Sequence, residues 1–315
     1  MTPKDLFLAS LFPLFMSAQV VAVKLGEQDF PPLLLLFLRF ALMAAVLLPF
    51  APIPPRQWAW IAVLAALQGA LMLGLLFVGI GHIDTAVGSV VFQLHVPFSV
   101  LLAWLFSRER PSAIVLLGVA LAFAGVVVAS GIDAWAGSLL GAPLILAAAI
   151  SMASGNLVAR RLKGVTPLAL NTWISVFAAL MALAATAAFE TGQTALVAQA
   201  SWQSWGAVAV TGLLGGIGAF GIWYALLSRN PVAKFAPFGL AQPPCIAVLA
   251  WLILGETAGR ALIAGGLLTL AGVAVVQAET MLKTLLSRIV ETAQAVLHSL
   301  HPARLLEKRA ARPLS

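Results

Sequence analysis

Charge is scarce in this sequence. Lys, Arg, Asp and Glu make up 9% of its 315 residues, where a soluble domain carries roughly 25%. A globule this poor in charge cannot cover its own surface, so a water-soluble enzyme is excluded. Cysteine is almost absent too: Cys245 stands alone inside an apolar run, which leaves no internal disulfide and no cysteine-based metal site. The four His are scattered without HExxH-like spacing, and no GxxxxGK[ST] loop is present. Neither a metal, another cofactor nor an ATP-driven motor is therefore expected. Long polar stretches are missing between about Leu6 and Gln277, which removes room for a soluble domain.

Apolar residues fill the gap. They reach 62% of the chain, with a mean hydropathy of +1.03. Disorder needs low hydrophobicity, and a transmembrane barrel would show short alternating segments. Here the apolar runs are continuous, and a spanning helix needs ~20 such residues. Breaks at Pro, Gly and charged residues predict an all-α integral membrane protein. Its helices are expected near 5–25, 32–51, 57–81, 84–107, 112–131, 138–161, 167–190, 202–228, 232–254 and 259–277. The first is read as a retained helix rather than a cleaved leader, because many spans follow it and no small-residue cleavage site ends it.

Positive charge should gather on the cytoplasmic side. With the N-terminus inside, Lys4, Arg56, Arg108, Arg110, Arg160, Arg161, Lys163, Arg229 and Lys234 fall at inner ends, against Lys24 and Arg260 at outer ends. Glu27, Asp29, Asp84, Asp133, Glu190 and Glu256 fall outside. The asymmetry favours ten spans, both termini cytoplasmic, and an inner (plasma) membrane location.

The chain also resembles itself. AWLFSRERPSAIVLLGVALAFAGVVV (103–128) aligns with AWLILGETAGRALIAGGLLTLAGVAV (250–275), and Trp104, Glu109, Gly118 and Gly125 match Trp251, Glu256, Gly265 and Gly272. The same offset pairs Gly69 with Gly216, Gly74 with Gly221 and Pro97 with Pro244. SAQVVAVK (17–24) matches SGNLVARR (154–161). These matches predict two five-helix units, 1–131 and 132–278, followed by a tail, 279–315. Five is odd, so the second unit would be inverted in the membrane, a transporter pattern with its site near the midplane.

With PPLLLLFLRF (31–40) and the E-R and G-E pairs ending helices four and nine, the chain resembles the EamA group of the drug/metabolite transporter superfamily. SMASGNLVARR (151–161) and LLSRNPVAKFAPFGLAQPP (226–244) look most like bacterial O-acetylserine/cysteine exporters. The resemblance covers roughly residues 5–278. It implies outward carriage of amino acids, metabolites or drugs by alternating access.

Polar side chains inside a span are costly and point to a site. Arg39 lies seven residues into helix two. It is either a structural Arg bonded to carbonyls or a cation that receives a substrate carboxylate, for which its planar fork is suited. His95, beside Gln93 and followed by Pro97, is placed at the centre of helix four. Gln242 takes the equivalent place in helix nine, so the two would face each other. Gln19 and Asn156 form a second pair, able to bond a zwitterion or to join helices. Gln68, Asn171, Trp173, Trp223 and Tyr224 are weaker candidates. Glu109 and Glu256, at helix ends, are read as structural. No Asp or Glu sits mid-span, which argues against a carboxylate proton relay and leaves His95 as the central group able to titrate near neutrality.

The tail carries Leu282, Leu285, Leu286, Ile289, Val290, Ala293, Val296, Leu297 and Leu300 at helical spacing, then Arg304, Lys308, Arg309 and Arg312. A C-terminal amphipathic helix, ended by Pro302, against the anionic inner leaflet is expected, with no nucleic-acid partner. A homodimer is compatible with this reading. The rival readings are a carrier of drugs, nucleosides or lipid-linked sugars, an intramembrane enzyme, and a non-transporting scaffold. No cluster of His, Asp or Ser at one membrane face supports the enzyme.

Overall fold

A computed structural model describes residues 2–52, 57–107, 111–137, 140–159, 161–162, 164–227 and 236–299, without the side chains of 107, 130–137, 224, 227, 236–237, 280–281 and 283–299. No strand occurs among the described residues. The long helices are α1 (Pro3–Gly26), α2 (Pro32–Leu47, closed by the 3-10 turn Leu48–Phe50), α3 (Trp58–Gly81) and α4 (Thr85–Phe92 and His95–Ser107). They continue with α5 (Ala113–Gly137), α6 (Gly141–Ala159), α7 (Pro167–Phe189) and α8 (Trp202–Ala209, Val210–Ala219 and Phe220–Leu227). The last two are α9 (Gln242–Leu254) and α10 (Arg260–Ser299). Eight helical stretches are long and apolar enough to cross a bilayer, and Ala113–Ala129 and Phe238–Leu254 are shorter apolar stretches.

Local chemistry starts these helices where the sequence punctuates. Thr2 and Asp5 form a reciprocal capping box at α1, with Pro3 in the first turn. Thr166 caps α7 ahead of Pro167. On the side expected to be outer, carboxylates cap helices of other segments. Glu190, at the end of α7, accepts from the Leu33 and Leu34 amides at 2.8 and 2.9 Å, at the start of α2. Asp29 accepts from the Ser201 amide and from the Ser201 and Ser204 hydroxyls at the start of α8. Glu256 accepts from the Thr85 amide and hydroxyl at 2.9 and 2.8 Å, at the start of α4. Negative charge at a helix N-terminus meets unpaired N–H groups and the positive end of the dipole. Glu256 therefore has the structural role expected of it; Glu109 lies outside the described residues. Ser112, at the start of α5, donates to the Glu279 carboxylate.

α5 and α10 cross with backbones in contact. A Cβ added to Gly118 would sit 2.9 Å from the Gly272 carbonyl oxygen, and Cβ atoms on Gly125 and Gly265 would overlap the backbone near Thr269 and Ala129. Only glycine permits this approach.

Five features depart from expectation. α3 widens into a π-helical segment over Ala65–Leu71, and α8 does so over Val210–Ala219. α4 is interrupted at Gln93 and Leu94, so His95 opens a helical segment instead of sitting within one. α9 begins at Gln242, after the 3-10 turn Ala236–Ala241, and not near 232. Pro243 and Pro244 lack the N–H that an internal position needs, yet fit a first turn. The tenth helix does not end near 277: α10 runs unbroken from Arg260 to Ser299, because no Gly or Pro occurs between Gly272 and Pro302. Pro302 and the basic end lie outside the described residues. A short helix, Gln193–Gln199, lies where a plain connection was expected; Gln193 donates to the Thr186 and Glu190 carbonyls before it.

Candidate functional site

The polar residues predicted from depth fall into two groups. The first joins α1, α2 and α8. Arg39 is 1% exposed, and its Nη2 donates to Gln19 Oε1 at 3.1 Å. Its guanidinium carbon lies 5.2 Å from the Phe40 ring centre and 5.9 Å from that of Phe77, so π faces contribute to its surroundings. Nε and Nη1 have no hydrogen-bond partner, and among the described residues Arg39 makes no ion pair. A buried cation with two idle donors is costly, and it is chemically ready for an anionic acceptor. Gln19 is itself pressed against the π-helical part of α8: a Cβ on Gly215 would overlap its side chain. Asn171 of α7 donates to the Gly216 carbonyl in the same π-helical segment at 3.3 Å.

The second group joins α3, α4 and α6, and carries no formal charge. Gln68, within the π-helical part of α3, donates to Asn156 Oδ1 at 2.9 Å and to the Met152 carbonyl at 3.2 Å. Asn156 Nδ2 donates to Ser99 Oγ at 3.2 Å, and Ser99 Oγ donates to the His95 carbonyl at 2.7 Å. His95 Nδ1 lies 2.9 Å from the Phe92 carbonyl, with the two rings stacked at 5.2 Å. A Cβ on Gly155 would overlap Gln68, just as one on Gly215 would overlap Gln19.

The predicted residues are thus sorted as follows. Arg39 meets Gln19, while His95, Asn156 and Gln68 share one chain of hydrogen bonds. Gln93 is buried at the break in α4. Gln242 is not joined to His95 among the described residues; its carbonyl accepts from Ser17 Oγ at 3.2 Å, two residues from Gln19. Trp223 packs on Phe12 at 5.2 Å, among α1 residues. Trp173 donates to the Pro52 carbonyl and packs edge-on against Trp58. The Tyr224 side chain lies outside the described residues. Sequence reasoning missed Ser99 and Ser17. Ser99 is four residues after His95, on the same helical face, and that spacing was the available signal.

Between α1 and α2 two carboxyls differ. Burial pushes the Glu27 carboxyl up to about 8 despite Lys24 nearby, and a Cβ on the facing Gly81 would lie 3.1 Å from its Oε2. Hydrogen bonds from the Ser201 side chain and backbone, and then from Ser204, hold Asp29 below its ordinary value.

Comparison with known proteins places this geometry. The chain is 28% identical over 281 residues to a protein of Salmonella typhimurium named as a probable amino-acid metabolite efflux pump, covering 86% of this chain and 94% of that one. It is 25% identical, with the same coverage, to an Escherichia coli protein of the same name. A solved crystal structure superposes with a TM-score of 0.57 at 21% identity, covering 90% of this chain and 98% of the other, a likeness of fold. The EamA-like transporter family pattern matches residues 4–131 and again 139–277. Apolar helices of spanning length, polar groups buried among them and this double match together make the chain a multi-pass membrane protein that belongs to the EamA-like transporter family.

Proposed function

We propose that the chain exports small amino-acid-like metabolites of the O-acetylserine/cysteine type across the inner membrane, without catalysis. Ten spans, with both termini in the cytoplasm, form two inverted units, 1–131 and 132–278. Substrate enters between them from the cytoplasm, and alternating access releases it outside.

Several observations support the inverted arrangement. His95–Ser107 and Gln242–Leu254 are both 13 residues long, each follows an interruption, and they begin 147 positions apart. The two π-helical segments overlap at the same offset. α1 meets α8 through Gln19 and Gly215, while α6 meets α3 through Gly155 and Gln68, the exchange that a twofold axis in the membrane plane would produce.

The single observation that carries the substrate class is Arg39, an intramembrane guanidinium with one partner and two idle N–H groups. A substrate carboxylate supplies the two oxygens that this fork lacks. The names of the relatives point to the same class. His95, Asn156, Gln68 and Ser99 offer neutral hydrogen bonds to the rest of the molecule. Gln93 borders this region, Gln242 lies beside α1, and Trp223 and Tyr224 of α8 are weaker candidates. As far as Ser299 the tail continues α10, and its apolar stripe and basic end are expected to meet the anionic inner leaflet.

The test is counterflow in proteoliposomes. Labelled O-acetylserine should enter vesicles preloaded with unlabelled O-acetylserine and not empty-protein controls, while a nucleoside in the same assay should not. Nucleoside exchange without amino-acid exchange supports the rival carrier, and no exchange of any solute supports a scaffold. Reporter fusions check the membrane arrangement: cytoplasmic after Pro111 and Lys163, external after Asp133 and Glu190. A cytoplasmic reading at Asp133 removes both the ten spans and the inversion.

A further inference from the structure

The interruption of α4 fixes how the His95 ring can use its nitrogens. Pro97 has no N–H to give, and the hydrogen-bond register ahead of it tightens. The amides of Gln93, Leu94 and Val96 bond three residues back, to the carbonyls of Val90, Val91 and Gln93. Val96 N–H is the donor that a regular α-helix would offer the Phe92 carbonyl, and it has gone to Gln93 instead. The Phe92 carbonyl takes His95 Nδ1 in its place, at 2.9 Å. A carbonyl only accepts, so Nδ1 carries the hydrogen. In the neutral ring Nε2 is then a bare lone pair. Stacking on Phe92 holds the ring, and the Asn156–Ser99–His95 chain holds its backbone. Among the described residues nothing bonds Nε2.

Among the described residues no acidic side chain bonds the His95 ring, and the carboxylate that caps this helix, Glu256, is held by Thr85 at its far start. α6, packed against this segment, has no ionisable residue in Gly141–Ala159. α5 carries Asp133 toward its outer end, with its side chain outside the described residues. α10 carries Arg260 at its start and Glu279 near the inner end, where it holds Ser112. α9 contributes only Cys245, α3 has no ionisable residue in Trp58–Gly81, and α1, which meets Thr85–Phe92, carries Lys4, Asp5 and Lys24 near its two ends; the cation Arg39 lies on α2. In a low-dielectric interior two further positive charges at one nitrogen repel strongly.

We infer that His95 Nε2 binds either a proton or the ammonium group of the substrate, and that this exclusion couples export to proton entry. The inference rests on the exporter reading above. From the outer side a proton joins the Nε2 lone pair, giving an imidazolium and displacing the ammonium, which keeps its own three hydrogens and leaves with the substrate. Facing the cytoplasm, the imidazolium returns that proton to water, and the freed lone pair accepts a hydrogen bond from the next ammonium. One proton moves in for each zwitterion moved out, so one positive charge also moves in. Coupling therefore needs no carboxylate in mid-membrane.

The test uses the full chain in vesicles loaded with O-acetylserine and a luminal pH dye. An external step from about pH 7.5 to about pH 5.5, across the imidazole range, should speed wild-type efflux about 5-fold and acidify the lumen as substrate leaves. N-acetylserine, an isomer whose amine is blocked, has no ammonium to displace, so its efflux should ignore the step. His95→Asn keeps a donor for the Phe92 carbonyl and lacks Nε2. It should move O-acetylserine more slowly, with no acceleration and no substrate-linked acidification. Wild-type efflux without acidification, equal acceleration of the two isomers, or coupled acidification in His95→Asn would overturn the inference. The isomer comparison decides the matter on wild-type protein if the variant does not insert. Absence of O-acetylserine flux at either pH overturns the exporter reading and this inference with it; flux without coupling overturns this inference alone.

Discussion

The polar groups on α1, α2 and α8 and those on α3, α4 and α6 share a scaffold and differ in chemistry. Each has a glutamine laid over a glycine of a facing helix, beside a π-helical segment: Gln19 over Gly215, and Gln68 over Gly155. In the first, the amide meets Arg39 and two of the three guanidinium nitrogens stay idle. In the second, the amide meets another amide, and the chain of bonds ends at a histidine backbone. Packing is alike, while charge is confined to one side. On the reading proposed here, such a difference suits a substrate whose two ends differ, with its carboxylate toward Arg39 and its amine toward His95.

The largest expected effect lies on the charged side. Arg39→Gln should lower O-acetylserine counterflow about 30-fold or more, the scale of losing one partner from a buried charged pair. Arg39→Lys keeps the charge without the fork and should retain part of the flux at weaker apparent affinity. Normal flux in a folded Arg39→Gln would erase the contrast between the two groups.

On the neutral side, His95→Ala should reduce flux about 10-fold, as befits one hydrogen bond to a charged group. Gln242→Ala, beside α1, should reduce it about 3-fold, since a neutral hydrogen bond contributes less. Both should leave expression largely intact. If both proteins transport at wild-type rates, these residues only pack.

Matched wedges sharpen the comparison further. Gly155→Val and Gly215→Val each push a side chain into a glutamine, and each should lower stability by about 1–3 kcal/mol in thermal unfolding in detergent. Gly215→Val should also impair transport more, because it dislodges the one amide that holds Arg39. Equal transport losses would mean that the two interlocks are merely structural.

The smallest effect concerns the connection between α1 and α2. Glu27, raised to about 8 from 4.5, holds a proton in the folded protein that the unfolded chain releases. Folding then takes up a proton between these values, so stability falls as pH rises through that window. Glu27→Gln should remove at most one proton's worth of that slope, read from unfolding midpoints against pH. Asp29 shifts the opposite way, so Asp29→Asn should weaken the protein at neutral pH, with the difference fading as pH falls from the ordinary carboxyl value through the lowered folded one.

Much of this architecture can be read from residues alone, because the cost of polar atoms in hydrocarbon is a local property. The apolar runs mark the helices, and Arg39, Gln19, His95, Asn156 and Gln68 stand out for what they are. Their pairing does not stand out. Whether Gln19 reaches Arg39 or Asn156 depends on helix crossings that no periodicity encodes. Hydrogen-bond register is equally hidden. Leu64 to Met72 reads as ordinary helix, although part of it is π-helical, and Pro97 signals a disturbance without showing that it frees the Phe92 carbonyl. The end of α10 is hidden for a related reason: the change from apolar to amphipathic near residue 278 looks like a boundary, but helix continuity depends on the absence of Gly and Pro.

The central claim is that Arg39 receives a carboxylate. Counterflow in proteoliposomes, at matched protein levels, compares an amino-acid substrate with its methyl ester in wild type and Arg39→Gln. The account predicts that wild type strongly prefers the free acid, and that the variant loses most of its flux for the acid and much less for the ester. Equal loss of both substrates would make Arg39 structural and contradict the account.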